Sequence, residues 1–168
     1  MHVFVYGTLT DPARVAEVLE PAATAGHDGG GEDGSEDEEA RGASSSWSFA
    51  ADATLRGLHR VDGRYPTLAP GGRVDGRLLR TDAIAALDAY EGVDRGLYAR
   101  VLVPYADDGT VDAGVDAGAA DDPAVVWVYV GDPERLDADD AVAWPGEGDL
   151  GRRVRRYVAA TDVVVEPR

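Results

Sequence analysis

Glu91 is the residue of this sequence best suited to proton transfer. It stands immediately before Gly92 at the end of a predicted short helix, and the chain then turns back into a strand that carries Tyr98. The negative end of the helix dipole disfavours a carboxylate, and apolar neighbours such as Val93 and Leu97 raise its pKa further by desolvation. A carboxyl group with a raised pKa can accept and donate a proton near neutral pH, as a general acid–base does. A lone glutamate before glycine is more often a solvent-facing helix end, so the hypothesis depends on a second segment.

The amino-terminal segment has the pattern of an anion-binding turn. Val3–Val5 predicts a buried strand, which ends at Tyr6-Gly7-Thr8-Leu9 before Asp11-Pro12 opens a predicted helix. A strand, a glycine turn and a helix start direct several backbone N–H groups at one point, where the helix adds a partial positive charge. The alternative is an ordinary core strand followed by an ordinary turn. These residues alone leave both interpretations open.

Other side chains are weaker candidates for chemistry. Asp88 and Asp94 flank the candidate glutamate and suggest a two-carboxylate site of the glycosidase type, but surface charge explains them better because Asp88 lies one helical turn away. His2, His27 and His59 show no metal-ligand spacing, so we predict no metal site. The sequence contains neither a phosphate-binding loop motif nor a dinucleotide-binding motif, so we predict no cofactor.

Length and charge exclude several classes of protein. The 168 residues suit one domain, and the net charge of −16, with arginine as the only basic residue type, disfavours nucleic acids and anionic membranes as partners. No stretch approaches the roughly 18 consecutive apolar residues of a membrane span, and no secretory signal is visible at the amino terminus. The absence of cysteine removes disulfides and thiolate nucleophiles. We expect a cytoplasmic protein whose partner is neither a nucleic acid nor a membrane.

The negative charge is concentrated in two stretches. Seven acids lie within residues 28–39 and six within residues 107–122, with no basic residue in either. Such segments cannot bury enough apolar surface to offset the entropy of ordering. We therefore predict a single domain over 1–168 with a disordered acidic insertion over 25–46 and a flexible loop over 107–122. The acid-rich, lysine-free composition resembles that of extreme halophiles, so these stretches reflect solubility in salt rather than chemistry.

The remaining sequence alternates between helix and strand patterns. Helices are predicted over 11–20 and 82–90, with a basic helix-compatible patch over 152–157. Strands are predicted over 53–61, 73–80, 98–105 and 124–131, followed by a last one over 163–165. With the amino-terminal strand, this pattern indicates an α+β domain or a small barrel.

Four short motifs in the right order resemble the gamma-glutamylcyclotransferase-like superfamily, and within it the gamma-glutamylamine cyclotransferase-like branch. The resemblance spans nearly the whole chain apart from the two acidic stretches and the tail after Trp144. The motifs are Val3-Phe-Val-Tyr-Gly-Thr-Leu9, Gly63-Arg-Tyr-Pro66, Val74-Asp-Gly76, and Tyr90-Glu-Gly92 followed by Tyr98-Ala-Arg100.

The resemblance implies a fold, a reaction and a set of site residues. The expected fold is a small mixed β-barrel of five to seven strands with short flanking helices. The expected reaction, of the transferase or lyase type, releases 5-oxoproline when the α-amine of a γ-glutamyl compound attacks its own γ-carbonyl. Glu91 would be the general acid–base. The substrate would be bound by Tyr6, Gly7, Thr8 and Leu9, with Tyr98 beside it. The alternative function is a non-catalytic module that binds a carboxylate or γ-glutamyl ligand on the same fold; the substrate and the oligomeric state stay open.

Overall fold

The computed structural model of the protein describes residues 1–24, 47–106, 125–138 and 142–168. The predicted insertion over 25–46 and the predicted loop over 107–122 lie outside the described residues. Within the described ranges, no helix is both long and apolar enough to cross a membrane.

In the described part of the chain, six strands form one mixed sheet that curls on itself. Their order is β4-β5-β1-β3-β2-β6, with β1 parallel to β5 and every other neighbouring pair antiparallel. A parallel bridge between Tyr105 and Val165 brings the two edges of the sheet together. The sheet therefore approaches a closed barrel. The strands are β1 (His2–Val5), β2 (Trp47–Val61), β3 (Thr67–Thr81), β4 (Tyr98–Pro104), β5 (Val125–Gly131) and β6 (Val164–Pro167).

Three α-helices flank the sheet within the same described residues: α1 (Pro12–Thr24), α2 (Ile84–Glu91) and α3 (Leu150–Ala160). The first helix begins where the sequence predicts it, and the Asp11 carboxylate caps it by accepting a hydrogen bond from the Ala13 N–H at 2.9 Å. The Asp149 carboxylate caps α3 in the same way, accepting from the Arg152 N–H at 3.0 Å. The predicted fold class, a small mixed barrel with short flanking helices, is confirmed.

The core lies on both faces of the sheet, and β1 contributes to each because its side chains alternate. Phe4 packs inside the curl, in a cluster that α3 covers with Val154 and Val158. Val3 and Val5 point to the other face, where α1 and α2 cover the sheet. Buried residues of that second cluster include Leu9, Val15, Leu19, Leu79, Leu87, Tyr98 and Tyr129. Because β1 is buried on both faces and paired on both edges, the turn that follows it starts from a fixed point.

Candidate active site

The turn after β1 places backbone N–H groups at one end of the barrel. Tyr6 is still extended, with φ −136° and ψ 161°, and Gly7–Thr10 form a turn of 3-10 helix. Gly7 has a φ of +72°, which favours glycine, and a Cβ there would lie 3.1 Å from the Pro66 ring. The first N–H groups of such a helix have no carbonyl partner within it, so they are available to an anion.

Arg77 on β3 fixes the far end of this turn. Its guanidinium donates to the Thr10 carbonyl at 3.2 Å, lies over the Phe49 ring at 3.6 Å and pairs with the Asp52 carboxylate at 3.3 Å. The Thr10 hydroxyl also donates to the Gly7 carbonyl at 2.6 Å. The turn is therefore held by side-chain contacts at its end as well as by β1 at its start.

A cavity of about 440 Å³ lies between this turn and the end of α2. The structure brings Tyr6, Thr8, Leu9, Glu91 and Tyr98 together as lining residues, whereas Gly7 shapes the turn without being part of the lining. Tyr65 and Pro66 of the Gly63-Arg-Tyr-Pro66 motif also line it, as do Phe4, Val5, Arg14, Tyr90, Arg95, Leu97 and Tyr129.

Glu91 combines the end of a helix with a desolvated position. It is the last residue of α2, and Gly92 closes the helix in a left-handed conformation with φ +70°. Burial raises the pKa of the Glu91 carboxyl from its usual 4.5 to about 7. The direction predicted from the sequence is confirmed, and desolvation is its cause. Such a carboxyl exchanges a proton readily at neutral pH.

The two tyrosine hydroxyls of the predicted site are already engaged with the main chain. Tyr6 donates to the Tyr129 carbonyl at 2.7 Å, and Tyr98 donates to the Pro66 carbonyl at 2.7 Å. Burial raises the pKa of both phenols, and the nearby Glu91 carboxylate raises it further. Both side chains therefore stay neutral at physiological pH. Their oxygen lone pairs can still accept a hydrogen bond, for example from an ammonium group.

Comparison with known proteins assigns the chain to a family. The sequence model of the family described as "Gamma-glutamyl cyclotransferase, AIG2-like" matches residues 3–146. The chain belongs to this family. The solution structure of a protein from Arabidopsis thaliana is 23% identical, with a TM-score of 0.45 over 95% of this chain and 83% of that one. The comparison with curated proteins found no match.

This gamma-glutamyl cyclotransferase family member contains a polar network centred on Asp88, and the surface position predicted for that residue is wrong. Asp88 was expected to be a surface charge, but only 22% of its side chain is exposed. Its carboxylate accepts from the Arg100 guanidinium at 2.7 Å and from the Tyr129 hydroxyl at 2.8 Å. The Arg100 guanidinium in turn lies over the Trp127 ring at 4.6 Å. The network ties the helix turn that ends in Glu91 to strands β4 and β5.

Replacing Asp88 by asparagine should loosen this attachment. The change weakens two charge-assisted bonds and leaves the Arg100 guanidinium, 27% exposed, without its ionic partner. We expect a loss of about 1–3 kcal/mol in the free energy of unfolding, measured by urea denaturation. Asp94→Asn is the matched control, because Asp94 is exposed on the turn after α2 and should change stability by less than about 0.5 kcal/mol. Equal stability of the two variants would show that the network does not hold the helix.

Proposed function

We propose that this protein is a γ-glutamyl cyclotransferase that releases 5-oxoproline from a small γ-glutamyl amine, amide or peptide. The observation that carries the proposal is the arrangement of one cavity. A carboxyl group with a pKa of about 7 lies opposite a turn whose N–H groups suit an anion. Membership in the gamma-glutamyl cyclotransferase family supports the same reaction.

In the proposed reaction, Glu91 first takes a proton from the α-ammonium group of the substrate. The freed amine attacks the γ-carbonyl carbon, and a new C–N bond closes the five-membered ring. The bond to the leaving nitrogen then breaks as protonated Glu91 donates its proton to that nitrogen. The ring nitrogen loses a second proton, which the released amine takes up as its ammonium form. One carboxyl group thus serves as base and then as acid, which its pKa favours.

Substrate positioning is the other requirement of this reaction. Ring closure is fast only when the amine and the γ-carbonyl are held at attacking distance, and orientation of this kind contributes a large part of the rate. The N–H groups of Thr8 and Leu9 are proposed to bind the α-carboxylate of the substrate. The Tyr98 oxygen, whose own proton goes to the Pro66 carbonyl, is proposed to accept from the α-ammonium group.

Release of 5-oxoproline from a panel of γ-glutamyl compounds tests the proposal directly. The panel should contain γ-glutamyl amino acids, γ-glutamyl alkylamides and the γ-glutamyl isopeptide of lysine, assayed by mass spectrometry at low and at molar salt. We expect repeated turnover of at least one γ-glutamyl compound. We expect no 5-oxoproline from the matched α-glutamyl isomers, because their amine cannot close the five-membered ring with expulsion of the α-linked amine. Saturable thermal stabilisation by the compounds without formation of 5-oxoproline would contradict the proposed enzymatic activity and indicate the alternative, a non-catalytic binding module.

A further inference from the structure

Two arginines line the mouth of the cavity, and we call them the cationic rim: Arg14 on α1 and Arg95 in the short 3-10 turn Val93–Arg95. Both side chains are exposed. The chain as a whole carries a net charge of −16, so its overall field repels anions. The cationic rim places positive charge at the entrance to the cavity that contains Glu91.

The two arginines differ in how far their charge is already compensated. The Arg14 guanidinium pairs with the Glu17 carboxylate at 2.6 Å on the same helix. Within the described parts of the chain, no carboxylate lies within ion-pair distance of Arg95. Among the described residues, Arg95 is therefore the member of the cationic rim whose charge is not already paired.

Arg95 is also held in a defined place beside the end of α2. Its backbone N–H donates to the Gly92 carbonyl at 3.0 Å, and its own carbonyl accepts from the Arg135 guanidinium at 3.0 Å. Its guanidinium packs over Gly92, because a Cβ on that glycine would lie only 2.9 Å from one of its terminal nitrogens. The guanidinium thus lies over the residue that directly follows Glu91.

Arg95 does not serve to stabilise the Glu91 carboxylate. A guanidinium paired with that carboxylate would lower its pKa, whereas burial raises the pKa of Glu91 and is the cause of its shift. The charge of Arg95 is thus directed at something other than the proposed acid–base.

We propose that the cationic rim, and Arg95 above all, binds a carboxylate carried by the leaving amine, so that the preferred substrates are γ-glutamyl amino acids or peptides. This inference rests on the proposed function. The leaving nitrogen must lie within proton-transfer reach of Glu91, and its substituent then extends past Gly92 toward the mouth of the cavity. A carboxylate on that substituent meets Arg95, whereas the cationic substituent of a polyamine is repelled by the same charge.

Two substrates that differ by one carboxylate test this inference. In γ-glutamylalanine the leaving amine carries a carboxylate, and in γ-glutamylethylamide that carboxylate is replaced by hydrogen. We expect the wild-type protein to favour γ-glutamylalanine in kcat/KM by about 10- to 100-fold, the range of one charged hydrogen-bonded contact. Arg95→Ala should remove most of this preference. Arg95→Lys should restore part of it, because lysine supplies the positive charge but not the planar guanidinium group that binds a carboxylate through two hydrogen bonds.

The matched control is Arg155→Ala, since Arg155 is an exposed arginine of α3 and should leave both rates unchanged. Equal loss on both substrates in Arg95→Ala, or a wild-type protein without preference, would overturn the inference while the proposed function stands. If no γ-glutamyl compound of the panel yields 5-oxoproline, these two included, the proposed function fails. Calorimetry then tests the carboxylate subsite on its own. Tighter binding of γ-glutamylalanine than of γ-glutamylethylamide, with the difference lost in Arg95→Ala, supports the inference, and equal binding overturns it.

Discussion

Glu91→Gln is expected to abolish release of 5-oxoproline while leaving the fold intact. Glutamine has nearly the same shape as glutamate but cannot take a proton from the substrate ammonium or return one to the leaving amine. Removal of a general acid–base costs about 10²- to 10⁴-fold in rate, so we expect kcat/KM to fall by at least about 100-fold. The measurement is the 5-oxoproline assay on the best substrate of the panel. Full activity in this variant would exclude Glu91 from the proton transfers.

Thermal stability provides the control for this variant. The pKa of Glu91 is about 7 in the folded protein, above its ordinary value of 4.5. The folded state therefore holds the proton more tightly than the unfolded chain does, and the wild-type protein loses stability as pH rises between these values. Glutamine at this position does not ionise, so the variant does not lose this stability as pH rises. We expect Glu91→Gln to match the wild type near pH 4 and to exceed it in Tm near pH 8, which separates lost catalysis from lost folding.

The pH dependence of the wild-type rate follows from the same group. Glu91 must be ionised to accept the first proton, so kcat/KM should rise with pH and level off above an apparent pKa of about 7. The rising limb reports the free enzyme and should be absent from any residual activity of Glu91→Gln. A rate that is flat between pH 5 and 8 would assign the proton transfer to another group.

Local patterns in the sequence were sufficient to predict the two halves of the candidate site. The strand, glycine turn and capped helix from Val3 to Pro12 are encoded within ten residues, and Glu91 with Gly92 marks a helix end without reference to any partner. Each half depends on hydrogen bonds between near neighbours in the chain. Their meeting at one cavity was available only through the family resemblance, because strand order depends on contacts between distant residues.

The polar surroundings of the site escaped prediction for the same reason. The partners of Asp88 are 12 and 41 residues away, on two different strands. The local pattern of the helix therefore predicted an exposed position for Asp88. Arg95 reaches the cavity because a 3-10 turn between two left-handed glycines, Gly92 and Gly96, folds it back over the helix end. The residue types of this turn do not by themselves predict that the Arg95 side chain lies over the helix end.

The longest strands were predicted too short because their pairing interrupts the alternation of side chains. β2 and β3 span Trp47–Val61 and Thr67–Thr81, whereas the sequence indicated 53–61 and 73–80. Their register shifts twice. One shift lies between Phe49 and Ala51, in the missed start of β2. The other lies between Arg56 and Leu58, where Gly71 and Gly72, in the missed start of β3, take positive φ values of 89° and 75°. Such a bulge is stable inside a hairpin because its neighbours pair on both sides, but in sequence it reads as a turn.

Gly76→Ala is expected to cause the largest loss of stability among simple substitutions near the site. Gly76 lies on β3 opposite Ala53, and an alanine Cβ there would overlap the Val5 carbonyl oxygen and lie 2.6 Å from the Phe4 ring. The Val5 carbonyl belongs to the backbone of β1, so relief requires a shift of the strand that leads into the binding turn. We expect a loss of more than about 2 kcal/mol in the free energy of unfolding, or about 5–10 °C in Tm.

Gly71→Ala is the matched control because it separates close contact from backbone strain. Gly71 has a φ of +89° and nothing within 4 Å of an added Cβ, so alanine there should cost only the strain of a left-handed conformation, about 1 kcal/mol. If the two variants have equal Tm values, β1 can move away from β3 without penalty. If Gly76→Ala is the less stable and also raises KM for a γ-glutamyl substrate, the position of β1 sets the geometry of the turn as well as the stability of the barrel.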